Sequence, residues 1–156
     1  MEKAKLEGVS HGRRYLLDLM EQRKLKSYAD DTGLSFNYLY KIAAGIHKPP
    51  CAWIYLLRKD IYPGLWFTEE GNEEPERLYR IQESDGPEWP LARCVNLRKL
   101  QAIADGDNLH RWSKQQGLSY DSTYQLLKLR FPPGFKKITL LKKWFDPAGW
   151  FFTVEK

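Results

Sequence analysis

The stretch GLSFNYLYKIAAG at residues 33–45 returns as GLSYDSTYQLLKL at residues 117–129, and this echo restricts the fold more than any other feature of the chain. Aligned without a gap at an offset of 84 positions, the halves pair Arg14 with Arg98, Leu16 with Leu100, Leu25 with Leu109, Gly33 with Gly117 and Tyr40 with Tyr124. The same register carries on through Pro49 with Pro133, Ile54 with Ile138, Leu57 with Leu141, Pro63 with Pro147 and Trp66 with Trp150. About fifteen identities fall in roughly 55 aligned positions, a self-similarity that marks a duplicated structural unit. The chain therefore reads as an N-terminal extension (1–12), a first module (13–68), a bridge (69–93) and a second module (94–156).

A module of about 60 residues buries only about 60% of its unfolded surface, so each copy needs a dense apolar core. The aromatic fraction of 14%, with six Trp, can supply one. Charge separates the modules from the bridge. Residues 69–88 hold eight acids and two bases, a segment charge of −6 against +5 for the whole chain, which leaves the remainder at +11. Two basic modules joined by an acidic, solvated linker are expected, with a short helix around residues 75–82. A basic balance suits a polyanionic partner. Cys51 and Cys94 are solitary, which argues against a disulfide framework or a zinc ribbon. No 18-residue apolar run and no signal-peptide core occur, so no membrane partner and a cytoplasmic, nucleoid-associated location are expected.

Local signals point to helices throughout. Tyr15, Leu16, Leu19 and Met20 have helical spacing within RRYLLDLMEQRK. Ser27 is placed to cap a second helix over 27–32, and Gly33 supplies the permissive backbone for a sharp turn. Ser35 can cap a third helix over 35–44 with Leu39 and Ile42 inward; Gly45 ends it. Pro50 sits at the start of a fourth helix around 51–58. The fold class is all-α: two tandem repeats of a four- to five-helix helix-turn-helix domain joined by an acidic linker.

At Ala29, Gly33 and Leu39 the chain resembles the Cro/lambda-repressor-type DNA-binding domains, whose pattern wants a small residue, a glycine four later and an aliphatic six beyond that. The tail LRKDIYPGLW after a G-x-x-K-P start to the fourth helix is most similar to the YdaS-like phage regulators, over nearly all of residues 13–67. In the second copy Ser113 and Gly117 hold their places, but Thr123 stands at the aliphatic position and Leu129 at the helix-ending glycine.

The resemblance implies that the third helix enters the major groove. Its outward positions are Phe36, Asn37, Tyr40 and Lys41 behind the cap Ser35. Asn37 can pair with adenine, Lys41 with guanine or phosphate, Phe36 with a thymine methyl and Tyr40 with the backbone. The aromatic pair also has a structural reading as half-buried packing. Arg23, Lys24 and Lys26 before the motif, with His47 and Lys48 after it, are the expected phosphate contacts. The corresponding set in the second copy is Tyr120, Tyr124, Gln125, Lys128 and Arg130, with Asp121 placing a negative charge where phosphates would come; Lys136, Lys137, Lys142 and Lys143 extend its basic set or simply solvate the last helix.

These residues read as a sequence-specific double-stranded DNA-binding transcriptional regulator of phage or mobile-element type. Two modules in one chain can imitate a dimer and read half-sites about 34 Å apart. A homodimer built on the second copy is the competing arrangement. The alternative function is a protein-binding module, such as an antitoxin or a phage-encoded inhibitor of host defence, in which the second repeat, or both, grips a protein partner. His11, His47 and His110 lack metal-ligand spacing, and no phosphate loop, nucleophile elbow or carboxylate pair is found. The chain is read as a non-enzyme without metal or cofactor.

Overall fold

The side chain of Ser10 accepts the Arg13 N–H at 3.1 Å and opens the first helix, α1 (His11–Glu21), inside the stretch read as an extension. The computed structural model describes residues 8–153 apart from Asp107. Residues 1–7 of the expected extension and 154–156 of the second module lie outside the described residues. The chain divides into two compact units, residues 1–78 and 79–156.

In unit 1, α1 is followed by α2 (Leu25–Thr32), α3 (Phe36–Ala43), α4 (Cys51–Leu56) and a 3-10 turn at Pro63–Phe67. The start of α2 corrects one expectation. The helix begins at Leu25, with Lys24 rather than Ser27 at the N-cap position and no side-chain cap bond. Leu25 is almost fully buried, and the chain turns into the helix through Arg23 at φ 59°. Burial of that leucine, not a capping hydroxyl, sets the boundary. Gly33 takes φ 74° at the end of α2, and Ser35 accepts the Tyr38 N–H to cap α3 as expected. Pro50 precedes α4 at its N-cap. The core gathers Leu16, Leu39, Ile42, Ile54, Tyr55 and Ile61, all essentially inaccessible.

In unit 2, α5 (Val95–Gly106), α6 (Leu109–Gln115), α7 (Tyr120–Leu127) and α8 (Phe135–Leu141) precede a 3-10 turn at Pro147–Trp150. Shifting unit 1 by 84 residues lays α3 on the limits of α7 and brings the other helix starts to the same positions. The single-residue antiparallel bridge Ser10–Glu69 has its counterpart at the same shift in Cys94–Thr153. Both units are all-helical, with no β-strand among the described residues.

The residue under the tryptophan shared by the two units, Trp66 and Trp150, shows how each unit was fitted separately. In unit 1, Gly12 on α1 makes room for Trp66; a Cβ there would stand 2.5 Å from the indole ring. In unit 2 the position of Gly12 holds Asn96, and the space comes instead from Gly149 in the 3-10 turn, whose missing Cβ would strike Asn96. Gly12→Ala should therefore cost unit 1 about 1–3 kcal/mol by overpacking. Thermal melting checks this, and an unchanged midpoint would mean that the Trp66 ring does not lie over α1.

Most of the bridge is exposed, as a solvated linker would be. The expected helix over residues 75–82 is absent; the segment carries 3-10 turns at Glu83–Asp85 and Leu91–Arg93. Several of its residues are nonetheless held by tertiary contacts. Glu70 receives two hydrogen bonds from Arg14, at 2.7 and 3.2 Å, within unit 1. That guanidinium holds the Glu70 carboxyl below its ordinary range. Within unit 2, Tyr79 stacks on Phe152, the buried Asp85 accepts from the Thr153 hydroxyl at 2.8 Å, and Trp89 donates to the Trp150 carbonyl. Tyr79 and Trp89 gain more by docking on the core than a short acidic helix gains from its own hydrogen bonds.

Candidate functional site

The outward face of α3 is built by what the inward face holds. Leu39, Ile42 and Ala43 are buried, which turns Phe36, Asn37, Tyr40 and Lys41 to solvent. Phe36 is 36% and Tyr40 47% exposed, so the pair is neither core nor fully free. Ser35 at the cap is exposed as well. The first turn of α3 thus presents an amide, an aromatic edge and free backbone N–H groups at the positive end of the helix dipole.

The far end of α3 is fastened by a residue that the sequence reading missed. Arg13 on α1 donates through both Nε and Nη2 to the Ala43 carbonyl, at 3.2 and 3.0 Å. A cation on the C-terminal carbonyls satisfies groups that a helix leaves orphaned and complements its dipole. The clamp needs Gly45, at φ 82°, because a Cβ there would meet the guanidinium at 2.9 Å. Partial burial lowers the Arg13 pKa. Its signal lay in the alignment: Arg13 and Gly45 are replaced together, by Leu97 and Leu129, in the second copy. Leu129 there adopts φ 60°, an uncommon conformation for a branched side chain.

The other expected residues of unit 1 are distributed around this helix. Lys26 is exposed and pairs with Asp30 at 3.2 Å, one turn along α2. His47 stacks on Tyr38 (ring centroids 5.2 Å apart), and Tyr38 in turn meets Trp53 edge-on at 5.0 Å. The exposed turn after α3 is therefore pinned by a three-ring cluster, and His47 has a packing role besides its position. Lys48 is exposed. Ile46, 62% exposed beside them, was not anticipated; an aliphatic residue in a polar turn was its only sequence signal.

Unit 2 presents a different face. Tyr120 leans on His110 (5.1 Å) and Tyr124 (5.8 Å), and the Lys128 ammonium lies over the Tyr124 ring. Tyr124 and Gln125 are half-buried, and Gln125 Oε1 is buried without a hydrogen-bond partner. Asp121, Lys128 and Arg130 are exposed. Thr123 is buried where Leu39 stands in unit 1, its hydroxyl satisfied by the Ser119 carbonyl at 2.9 Å.

Burial pushes both thiols, Cys51 and Cys94, up to about 12, which leaves them unreactive at neutral pH. Among the described residues, no group of three or more His, Cys, Asp or Glu side chains is placed to hold a metal ion. No described helix is long and apolar enough to cross a membrane. Compared with known proteins, the chain matches no family model, no curated protein and no solved structure.

Proposed function

We propose that the chain is a sequence-specific double-stranded DNA-binding regulator whose two units are tandem copies of one helix-turn-helix module, with α3 of unit 1 as its principal reading helix. The observation that carries this is the division of α3: Leu39, Ile42 and Ala43 inward, Asn37 and Lys41 outward, with the helix capped at one end by Ser35 and clamped at the other by Arg13. A rigid helix with polar groups on its first turns fits the major groove, which admits one α-helix and offers paired donors and acceptors. Asn37 would read adenine, Lys41 guanine or a flanking phosphate, and Lys26 and Lys48 would follow the strands.

Unit 2 contributes cations rather than the same reading set, because Gln125 turns its carbonyl oxygen inward and Asp121 faces outward. A site read by unlike modules is asymmetric. Control of transcription, as in the phage regulators that the motif of unit 1 resembles, would be its biological role.

Affinity for duplex DNA is expected to fall by orders of magnitude between about 50 and 200 mM salt, because each neutralised phosphate releases counterions. Titration of a labelled duplex at several salt concentrations measures this. An affinity that hardly changes would instead favour a protein partner held by exposed aromatic side chains.

A further inference from the structure

Beneath α7 in unit 2 lies a cavity of about 140 Å³, lined by Ser122, Gln125, Leu126, Phe131, Pro133 and Lys137 among others. Unit 1 shows what fills this place when nothing is missing. The counterparts of Ser122, Phe131 and Lys137, 84 residues earlier, are Tyr38, His47 and Trp53. Those three form the ring cluster described above, with His47 stacked on Tyr38 and Trp53 against its edge. In unit 2 the central ring has become a serine and the indole a lysine, while the stacking partner has become Phe131. That phenylalanine is 67% exposed. Two large side chains have been withdrawn, and the chain has not collapsed to close the gap.

The groups left behind are chemically particular. The Lys137 ammonium hydrogen-bonds the Ser122 hydroxyl and has no ion-pairing carboxylate among the described residues. Partial burial lowers its pKa, as expected of a cation short of a counter-charge. Gln125 lines the cavity as well, but its Oε1 is buried out of reach of a ligand there. Leu126, Phe131 and Pro133 supply apolar walls. A cavity near 150 Å³ accommodates one benzene ring.

We propose that unit 2 carries a small-molecule site for a single-ring aromatic carboxylate, of the benzoate class. The ring takes the place that Tyr38 occupies in unit 1 and stacks on Phe131. The carboxylate pairs with Lys137 and accepts from Ser122. A ring alone would leave the ammonium unpaired, and a small carboxylate alone would leave the walls wet, so both parts are required. The site goes beyond duplex recognition and does not depend on it.

Ligand-observed NMR and calorimetry with benzoate and 4-hydroxybenzoate test this on the intact protein, with acetate and phenol as the two half-ligands. At least one acid should bind saturably below roughly 1 mM, and neither half-ligand should saturate in that range. Lys137→Met should weaken binding roughly tenfold or more through the lost charge-assisted contact. Ser122→Tyr with Lys137→Trp, which restores the rings of unit 1, should abolish binding while circular dichroism stays unchanged. Should that double variant fail to fold, Lys137→Met alone decides. Absence of saturable binding by both acids, or equal binding by wild type and Lys137→Met, would overturn the site and leave the duplex reading standing.

Discussion

Replacing Asn37 and Lys41 together by alanine is expected to erase the preference for a specific duplex over random DNA, by roughly a hundredfold or more, while the melting temperature hardly moves. Both side chains are exposed on α3 and neither contributes to its buried face. A bidentate amide–adenine pair alone carries about 1–3 kcal/mol of discrimination, and a lysine on guanine or phosphate adds to it. Exposed substitutions usually stay within about 0.5 kcal/mol in stability, and alanine favours the helix. Residual binding should survive, because Lys26, Lys48 and the cations of unit 2 remain. Competition titrations against specific and random duplexes read the effect, with melts run beside them. A drop in stability that matched the loss of binding would make these side chains structural.

The second large effect belongs to the opposite face of the same helix. Leu39→Ala should destabilise unit 1 by about 2–5 kcal/mol, since the side chain is wholly buried and its removal leaves a cavity between α3 and the core. A unit of this size has roughly 4–12 kcal/mol to lose, so the transition should fall by about 10 °C or more. Leu39→Thr should do less damage than its polarity suggests. Thr123 is buried at the matching place in unit 2 with its hydroxyl given to the carbonyl one turn back, and Ser35 offers the same carbonyl to α3. Thermal melts followed by tryptophan fluorescence distinguish the variants. A midpoint unchanged by Leu39→Ala would mean that α3 is not anchored as described.

The segment over α2, α3 and the start of α4 was legible because its signals are local. Gly33, Ser35, Gly45 and Pro50 each act within one turn of their own position, and each stands where its backbone chemistry placed it. Features set by tertiary contact were not legible. Ser27 looked like a cap, but the burial of Leu25 drew α2 two residues earlier. The acids of the bridge suggested a solvated strap, yet Glu70, Asp85 and Trp89 are held by residues far away in sequence. Phe36 and Tyr40 carried two readings that period alone could not separate, and their partial exposure shows why. Arg13 could not be placed on the Ala43 carbonyl without knowing how α1 crosses α3. The withdrawal of Tyr38 and Trp53 at Ser122 and Lys137 was written in the alignment. Only the contact between those two rings gave it a meaning.

Selection of bound sequences from a random duplex pool with the intact protein bears most directly on α3 as a reading helix. Enrichment of one asymmetric motif, lost when Asn37 and Lys41 are replaced, is the expected result. A pool that emerges as random as it entered, or a motif that survives those two replacements, would contradict it.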